Sequence, residues 1–332
     1  MIYGEIRNTA QRDTHKIRWS ALAYGVVTIQ TMAWDIATAL DALGSRDLLD
    51  LGMSANQLRL HLHPEPVVTY ELCGRAASLE EAAPEAASHT AAMDLERVRG
   101  IDHNSMDALK ATLAAHRDRF PQITFQRLPV STLGPFAENP RVVAGALRDL
   151  HAAGVRSLSA NFVPALNRPQ NEELRVLLRA AADSGLPVAV SVTIGNSETF
   201  DQRIDTLKML RDLQQNSQAI HVAIIRVHHA ASVEARREEE ATAVDYLKTL
   251  AVTRLFLDNV EHIQTEWSVM GPKVLELALR FGADDAGAIP WSQSGSPEPS
   301  HHGGESELRR IIRDAGFRPV QRDALFRQSV LL

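Results

Sequence analysis

The sequence has 332 residues, a net charge of −6, and 45% hydrophobic and 23% charged residues. A chain of that length buries a core without covalent staples, and its mild acidity offers no basic footprint for nucleic acid or anionic lipid, so neither is expected as a partner. A single cysteine excludes an internal disulfide and, with no N-terminal signal pattern, makes the reducing cytoplasm the expected compartment.

Residues 1–60 read as a helical extension. Trp19, Ala23, Val26, Val27, Gln30 and Trp34 share one helix face, Ile36, Leu40 and Leu43 continue the stripe, and 47–52 with 55–60 form a further helical piece. The apolar run 21–29 is far shorter than the roughly 20 residues that span a bilayer. From residue 67 strands and helices alternate. Strands are expected over 67–73, 93–99, 122–128, 155–160, 187–194 and 219–227 from their β-branched and aromatic content. Helices are expected over 78–92, 105–119, 140–153, 171–184, 199–215 and 234–254, the first opened by Ser78 with Glu81 three residues on and interrupted by Pro84. Gly154 and Gly185 stop two of them.

Farther on, Val274, Leu277, Ala278 and Phe281 fall at i, i+3, i+4 and i+7, the spacing of one buried helix face, and Gly282 follows as the stop before a short apolar segment expected to re-enter the sheet. Residues 297–304 read as a loop, and Leu308, Ile311, Ile312 and Ala315 carry a last helix that ends at Gly316. Such alternation implies right-handed βαβ units and a parallel sheet. The expected fold is α/β: a (β/α) TIM-type barrel over 61–295, with helical additions at 1–60 and 296–332.

Specific words within this pattern carry a resemblance. Leu257-Asp258-Asn259-Val260, His262-Ile263, Trp267, Gly271, Phe281-Gly282-Ala283-Asp284-Asp285 and Arg318-Pro319-Val320-Gln321-Arg322 resemble the radical S-adenosylmethionine enzymes of the futalosine route to menaquinone, with deazaflavin cofactor synthases as cousins. The resemblance runs from about Leu49 to about Leu325 and is clearest over 192–287. It implies a barrel of the radical S-adenosylmethionine kind. It also implies a C-x-x-x-C-x-x-C loop whose thiolates hold a four-iron cluster that binds S-adenosylmethionine. Here the first strand runs into Cys73-Gly74-Arg75-Ala76-Ala77-Ser78, without that loop. Departures recur at Gly100 to Asn104, Asn161 to Pro164 and Ile289 to Ser292. The chain is therefore expected to be a degenerate member with no cofactor, lacking the cluster and not binding S-adenosylmethionine in the family manner. Cys73 reads as a small apolar residue ending a strand.

In a parallel barrel the site lies at the C-terminal ends of the strands. The ligand-binding candidates are Glu71, Arg75, Arg127, Asn161, Asn196, Glu198, Arg226, His228, Asp258 and His262, with no catalytic role assigned. Asn196 or Ser197 can instead cap the next helix, with Glu198 favourable near its N-terminus. Asp258, Asn259 and His262 can share a helix face as a buried hydrogen-bond network. No metal site is expected: His61-x-His63 with His228, His229 and Asp258 has the residue types of a metallohydrolase, but His61 and His63 precede the first strand and so belong to the wrong face. His301 and His302 read as solvated.

Two functions are compatible with these residues. One is a pseudoenzyme that binds a futalosine-like or other small-molecule ligand or assists a radical paralogue; the other is a non-radical lyase, cyclase or hydrolase using the same pocket. Oligomeric state is not fixed by the sequence.

Overall fold

The computed structural model describes residues 34–74, 92–96, 105–119, 121, 124–136, 139–165, 171–228, 241–291 and 304–328. Arg75, His229, His301, His302 and most of the expected helix at 78–92 lie outside these residues.

Two helices lead in. Helix α1 (Ile36–Gly44) starts at Asp35, whose carboxylate accepts from the Thr38 amide at 2.7 Å, an N-cap. Helix α2 (Leu48–Leu62) follows and buries Leu51, Gly52 and Ala55. The alternating region then runs β1 (Val67–Gly74), β2 (Ala92–Asp94), α3 (Met106–Arg119), β3 (Thr124–Gln126), β4 (Leu128–Pro129), α4 (Pro140–Ala152), β5 (Leu158–Phe162), α5 (Asn171–Asp183), β6 (Val188–Ile194), α6 (Phe200–Ser217), β7 (Ile220–Val227), α7 (Ala243–Phe256), β8 (His262–Gln264), α8 (Trp267–Met270), α9 (Pro272–Ala278), β9 (Asp285–Trp291), α10 (Glu305–Asp314) and β10 (Arg318–Gln321).

The strands pair in the order β3-β2-β1-β9-β8-β7-β6-β5-β4, every pairing parallel, and β10 lies along the first half of β1. Only Arg127 separates β3 from β4. One broken strand therefore pairs with β2 through its first half and with β5 through its second, which nearly closes the sheet into the expected barrel.

Alternation along each strand sorts side chains to two faces. Val188, Val190, Val192 and Ile194 of β6, with Ala223, Ile225 and Val227 of β7, join the main core under the helices. Ala189, Val222 and Ile224 face inward and pack with Phe326 in a small separate cluster.

Three local expectations need correction. Residues 258–262 are not helical: α7 ends at Phe256, Asp258 and Asn259 form a turn, and His262 opens β8. Pairing of 262–264 with 222–224 of β7 overrides the helical spacing of these residues. Of the expected face, Ala278 and Phe281 are buried and Val274 packs against the core, whereas Leu277 is 49% exposed and Leu275 and Leu279 take the buried side in its place. The cap of α6 is Thr199 rather than Asn196 or Ser197, in a reciprocal capping box with Gln202.

Gly282 does stop its helical segment, at φ +100, and it has a second reason to be glycine: an added Cβ would lie 2.9 Å from Arg254 Cβ. Arg254 is fully buried and donates from Nε to the Gly282 carbonyl at 2.9 Å, while buried Arg59 donates to the carbonyls of Ala283 at 3.1 Å and Val67 at 2.6 Å. Two arginines thus satisfy the carbonyls of the turn that feeds β9 and fix where that strand enters the ring.

Candidate functional site

Inside the ring, charged side chains from several strands meet, reaching from the start of β9 to the ends of β2 and β8. Glu71 of β1 lies 3.6 Å from Arg127 and 3.4 Å from Arg322. Arg127 pairs with Asp94 at 3.0 Å, and Arg322, just past β10, pairs with Asp285 of β9 at 2.5 Å. Thr69 also donates to Asp285, at 2.6 Å, and Arg322 donates to Gln264 at 3.3 Å. All of these side chains are buried.

Three carboxyls here share two guanidiniums. Burial pushes the Glu71 carboxyl up, and the pull of Arg322 and Arg127 does not offset it. Burial lowers Arg127, but Asp94 and then Glu71 raise it well above the usual guanidinium value; for Arg322, Asp285 and Glu71 likewise outweigh burial. With a proton on Glu71, two carboxylates balance two guanidiniums, and no uncompensated charge is left in the interior.

Arg127 reaches this position through the strand break. Its φ is +55, a left-handed conformation that costs a non-glycine residue roughly 1–2 kcal/mol. Two serines hold it there: the Arg127 amide donates to Ser157 Oγ at 3.0 Å, and Ser159 Oγ donates to the Arg127 carbonyl at 3.0 Å. Strain over-determined in this way is a recognised feature of binding sites.

Arg226 of β7 donates twice to Glu96, at 2.8 and 3.2 Å, and its Nε lies 3.8 Å from Glu266. Arg127, Arg226, Gln264, Glu266 and Trp267, with Ala286 and Ala288, line a small recess of about 10 Å³, room for roughly one water or one ligand atom. Three donors on its wall, Arg127 Nε, Arg226 Nε and Trp267 Nε1, are buried and have no hydrogen-bond partner among the described residues. Such a wall is built to face oxygen or nitrogen acceptors.

Of the residues singled out in the sequence, Glu71, Arg127 and Arg226 come together here. Asn161 stands on the adjoining strand, where its Oδ1 accepts from Ser191 and Thr193, each at 3.0 Å. Glu198 turns back on its own loop, accepting from the amides of Gly195 at 3.0 Å and Asn196 at 2.8 Å and from Arg203 at 2.5 Å. Burial would raise its carboxyl, but these amides and Arg203 hold it below the usual carboxylate range. His228 follows β7, its amide bonded to Ile194 O at 2.7 Å. Asp258 pairs with Arg211 of α6 at 3.0 Å, outside the ring. His262 lies at the opposite, N-terminal end of the strands. Asp94, Glu96, Gln264, Glu266 and Arg322 were not foreseen as site residues.

Cys73 is buried at the end of β1, accepts from Gln126 Nε2 at 3.2 Å, and has its thiol pushed up to about 12, chiefly by burial. A protonated thiol is a poor metal ligand.

Comparison with known proteins connects this geometry to a family. Residues 224–330 match the CofH/MqnC C-terminal region. The chain is 30% identical over 233 residues to a cyclic dehypoxanthine futalosine synthase from Streptomyces coelicolor, covering 66% of this chain and 58% of that protein. It is 25% identical over 321 residues to the synthase of the same name from Halalkalibacterium halodurans, covering 84% and 86%. With an aminodeoxyfutalosine synthase from Thermus thermophilus, identity is 33% over 159 residues, or 45% of this chain and 42% of that one. In fold it is similar to the [FeFe]-hydrogenase maturase HydG from Carboxydothermus hydrogenoformans (TM-score 0.65, 12% identity, 96% of this chain and 81% of that one). It is also similar to methylornithine synthase (TM-score 0.58, 12% identity, 91% and 96%).

These comparisons overturn the expectation of no cofactor. The relatives are radical S-adenosylmethionine enzymes, which use S-adenosylmethionine and an iron–sulfur cluster, so freedom from cofactors does not follow from a count of thiols. A narrower point of fit remains. The sequence has one cysteine, and that thiol is buried and bonded to Gln126, so its own residues do not fit a cluster held on three thiolates.

Proposed function

Because this chain belongs to the radical S-adenosylmethionine family of the futalosine pathway, yet brings a single thiol to it, we propose that it is a small-ligand-binding member. In this reading it has given up the family's own cluster loop and acts as a pseudoenzyme or as an accessory to a radical paralogue. The observation that carries this reading is the wall of the recess. Arg127 Nε, Arg226 Nε and Trp267 Nε1 are buried without hydrogen-bond partners among the described residues, and a buried donor left so costs about 1–3 kcal/mol, less at Arg226, whose Nε lies 3.8 Å from Glu266. A ligand that brings acceptor atoms removes that cost. The recess itself admits about one acceptor atom, which a carboxylate of S-adenosylmethionine or an oxygen of the compounds named for the relatives would supply, with the rest of the ligand lying outside it.

A second reading keeps the pocket and adds chemistry. Glu71 carries a carboxyl raised by burial, the type of group that serves as a general acid, and it lies behind the recess, 3.6 Å from the Arg127 that lines it. That favours a non-radical lyase, cyclase or hydrolase. Equilibrium dialysis against S-adenosylmethionine and against cyclic dehypoxanthine futalosine tests the first reading, with saturable binding expected at one equivalent per chain. Chemical conversion of a bound compound without any reductant, lost in Glu71→Gln, favours the second.

A further inference from the structure

The N-terminal end of the ring holds another convergence of side chains, which the mouth does not use. His63 caps the C-terminus of α2 and opens the connection to β1, His262 opens β8, and Asp284 immediately precedes β9. His63 Nε2 lies 3.5 Å and His262 Nδ1 2.6 Å from one and the same atom, Asp284 Oδ2. Together the three residues offer one metal-ligand atom each, all within 4.8 Å of one another.

The carboxylate is divided between two tasks. Oδ1 is taken by buried Arg254 and by the Ile263 amide at 2.8 Å, so Asp284 is fixed by one oxygen and presents the other to the imidazoles. The His63 and His262 rings stack with centroids 5.1 Å apart and 18° between planes, and Phe326 backs His262 at 3.9 Å. Side-chain exposures of 21% for His63, 13% for His262 and 5% for Asp284 put the cluster at the rim, reachable from solvent on the His63 side.

We propose that His63, His262 and Asp284 bind a divalent transition-metal ion, zinc in first place, which ties the α2–β1 connection to β8 and β9. Two imidazoles and one carboxylate form a borderline donor set suited to zinc. Tetrahedral bonds of about 2.0–2.1 Å place ligand atoms roughly 3.3 Å apart. The 3.5 Å spacing from His63 to Asp284 already fits this. The 2.6 Å contact of His262 with Asp284 opens by about 0.7 Å to admit the ion at that bond length. His63 also gives up its 3.0 Å contact with the Glu261 carbonyl, and water completes the coordination on the solvent side. Arg254 and the Ile263 amide then act as the outer partners that orient a ligating carboxylate. The sequence argument against a metallohydrolase rested on which face His63 occupies, and this cluster is indeed at the N-terminal strand ends, where a barrel places stability rather than chemistry. The ion is therefore structural.

Titration of the purified full chain with Co(II), followed by its visible d–d bands, and with Zn(II), followed by melting temperature, tests the proposal. The expected result is one equivalent of cobalt with tetrahedral bands and a rise in melting temperature with zinc. Both should be absent in His63→Gln, compared with its own metal-free melting temperature, and both should persist in His61→Ala, which removes an exposed neighbour. Failure of the wild type to take up one equivalent overturns the proposal, as does uptake that survives unchanged in both His63→Gln and His262→Gln. Neither result bears on ligand binding at the mouth.

Discussion

The Arg127 guanidinium meets the Asp94 carboxylate at 3.0 Å between neighbouring strands, and it does so only because residue 127 breaks its strand with φ +55. Removing the cation strands a buried acid, a change that costs about 3–5 kcal/mol. Arg127→Ala should therefore lower the unfolding free energy measured in urea by that amount. The paired variant Arg127→Ala with Asp94→Ala should recover much of the loss, and failure to recover would show that the backbone break, not the ion pair, carries the stability.

Glu71 makes the opposite prediction. Its carboxyl is raised by burial, so the folded state prefers the proton, and the stability it contributes is full below the ordinary glutamate value and lost as pH rises through the raised one. Glu71→Gln should cost under about 1 kcal/mol, and the difference from wild type should move in favour of the variant as pH rises from 4.5. Denaturation at several pH values checks this; a variant that loses ground with rising pH contradicts it.

Much of this was legible in the sequence. Period-2 and period-3.6 patterns gave the alternation, and Gly154, Gly185 and Gly316 marked helix ends because positive φ leaves its trace in residue type. The site was legible only in part. Glu71, Arg127 and Arg226 stand at strand ends and could be found that way. Arg322 could not, since its role depends on β10 folding back along the start of β1, a long-range pairing with no local signal. Asp94 and Gln264 carry the inward alternation of their strands, but those strands are three residues long, too short for a period to declare itself. The same holds for His262, whose spacing from Asp258 suits a helix while its pairing with β7 makes it a strand.

Two glycines separate conformational strain from steric conflict. Gly185 has φ +67 with nothing within 4 Å of an added Cβ, while at Gly282, with φ +100, that atom would lie 2.9 Å from Arg254. Gly185→Ala should cost roughly 1–2 kcal/mol, the left-handed penalty alone. Gly282→Ala should cost clearly more, because Arg254 is locked by its bonds to the Gly282 and Glu261 carbonyls. Equal losses in chemical denaturation would refute the steric account.

His221 governs an acid limb. Desolvation, then the nearby Arg322 charge, hold its imidazole down to about 3 from 6.5, against the hydrogen bond it makes to the Val188 carbonyl. The unfolded chain takes up a proton that the folded one refuses, so stability is full above pH 6.5 and falls as pH drops toward 3. His221→Phe keeps an aromatic ring against Phe326 and cannot titrate. Its melting temperature should be lower at neutral pH, because the Val188 carbonyl loses its partner, and should fall less steeply on acidification.

Ligand binding at the mouth through Arg127 Nε, Arg226 Nε and Trp267 Nε1, which have no hydrogen-bond partner among the described residues, is tested most directly by Trp267→Phe. Trp267 is a fully buried core residue, so the substitution removes Nε1 together with part of the indole, and the unliganded melting temperature should fall; the readout is the ligand-induced rise measured from each protein's own unliganded value. With S-adenosylmethionine and cyclic dehypoxanthine futalosine as probes, at least one should raise the wild-type melting temperature in a saturable way, and that rise should shrink markedly in the variant. No response to either compound in the wild type, or an identical response in Trp267→Phe and Arg226→Lys, would contradict the account.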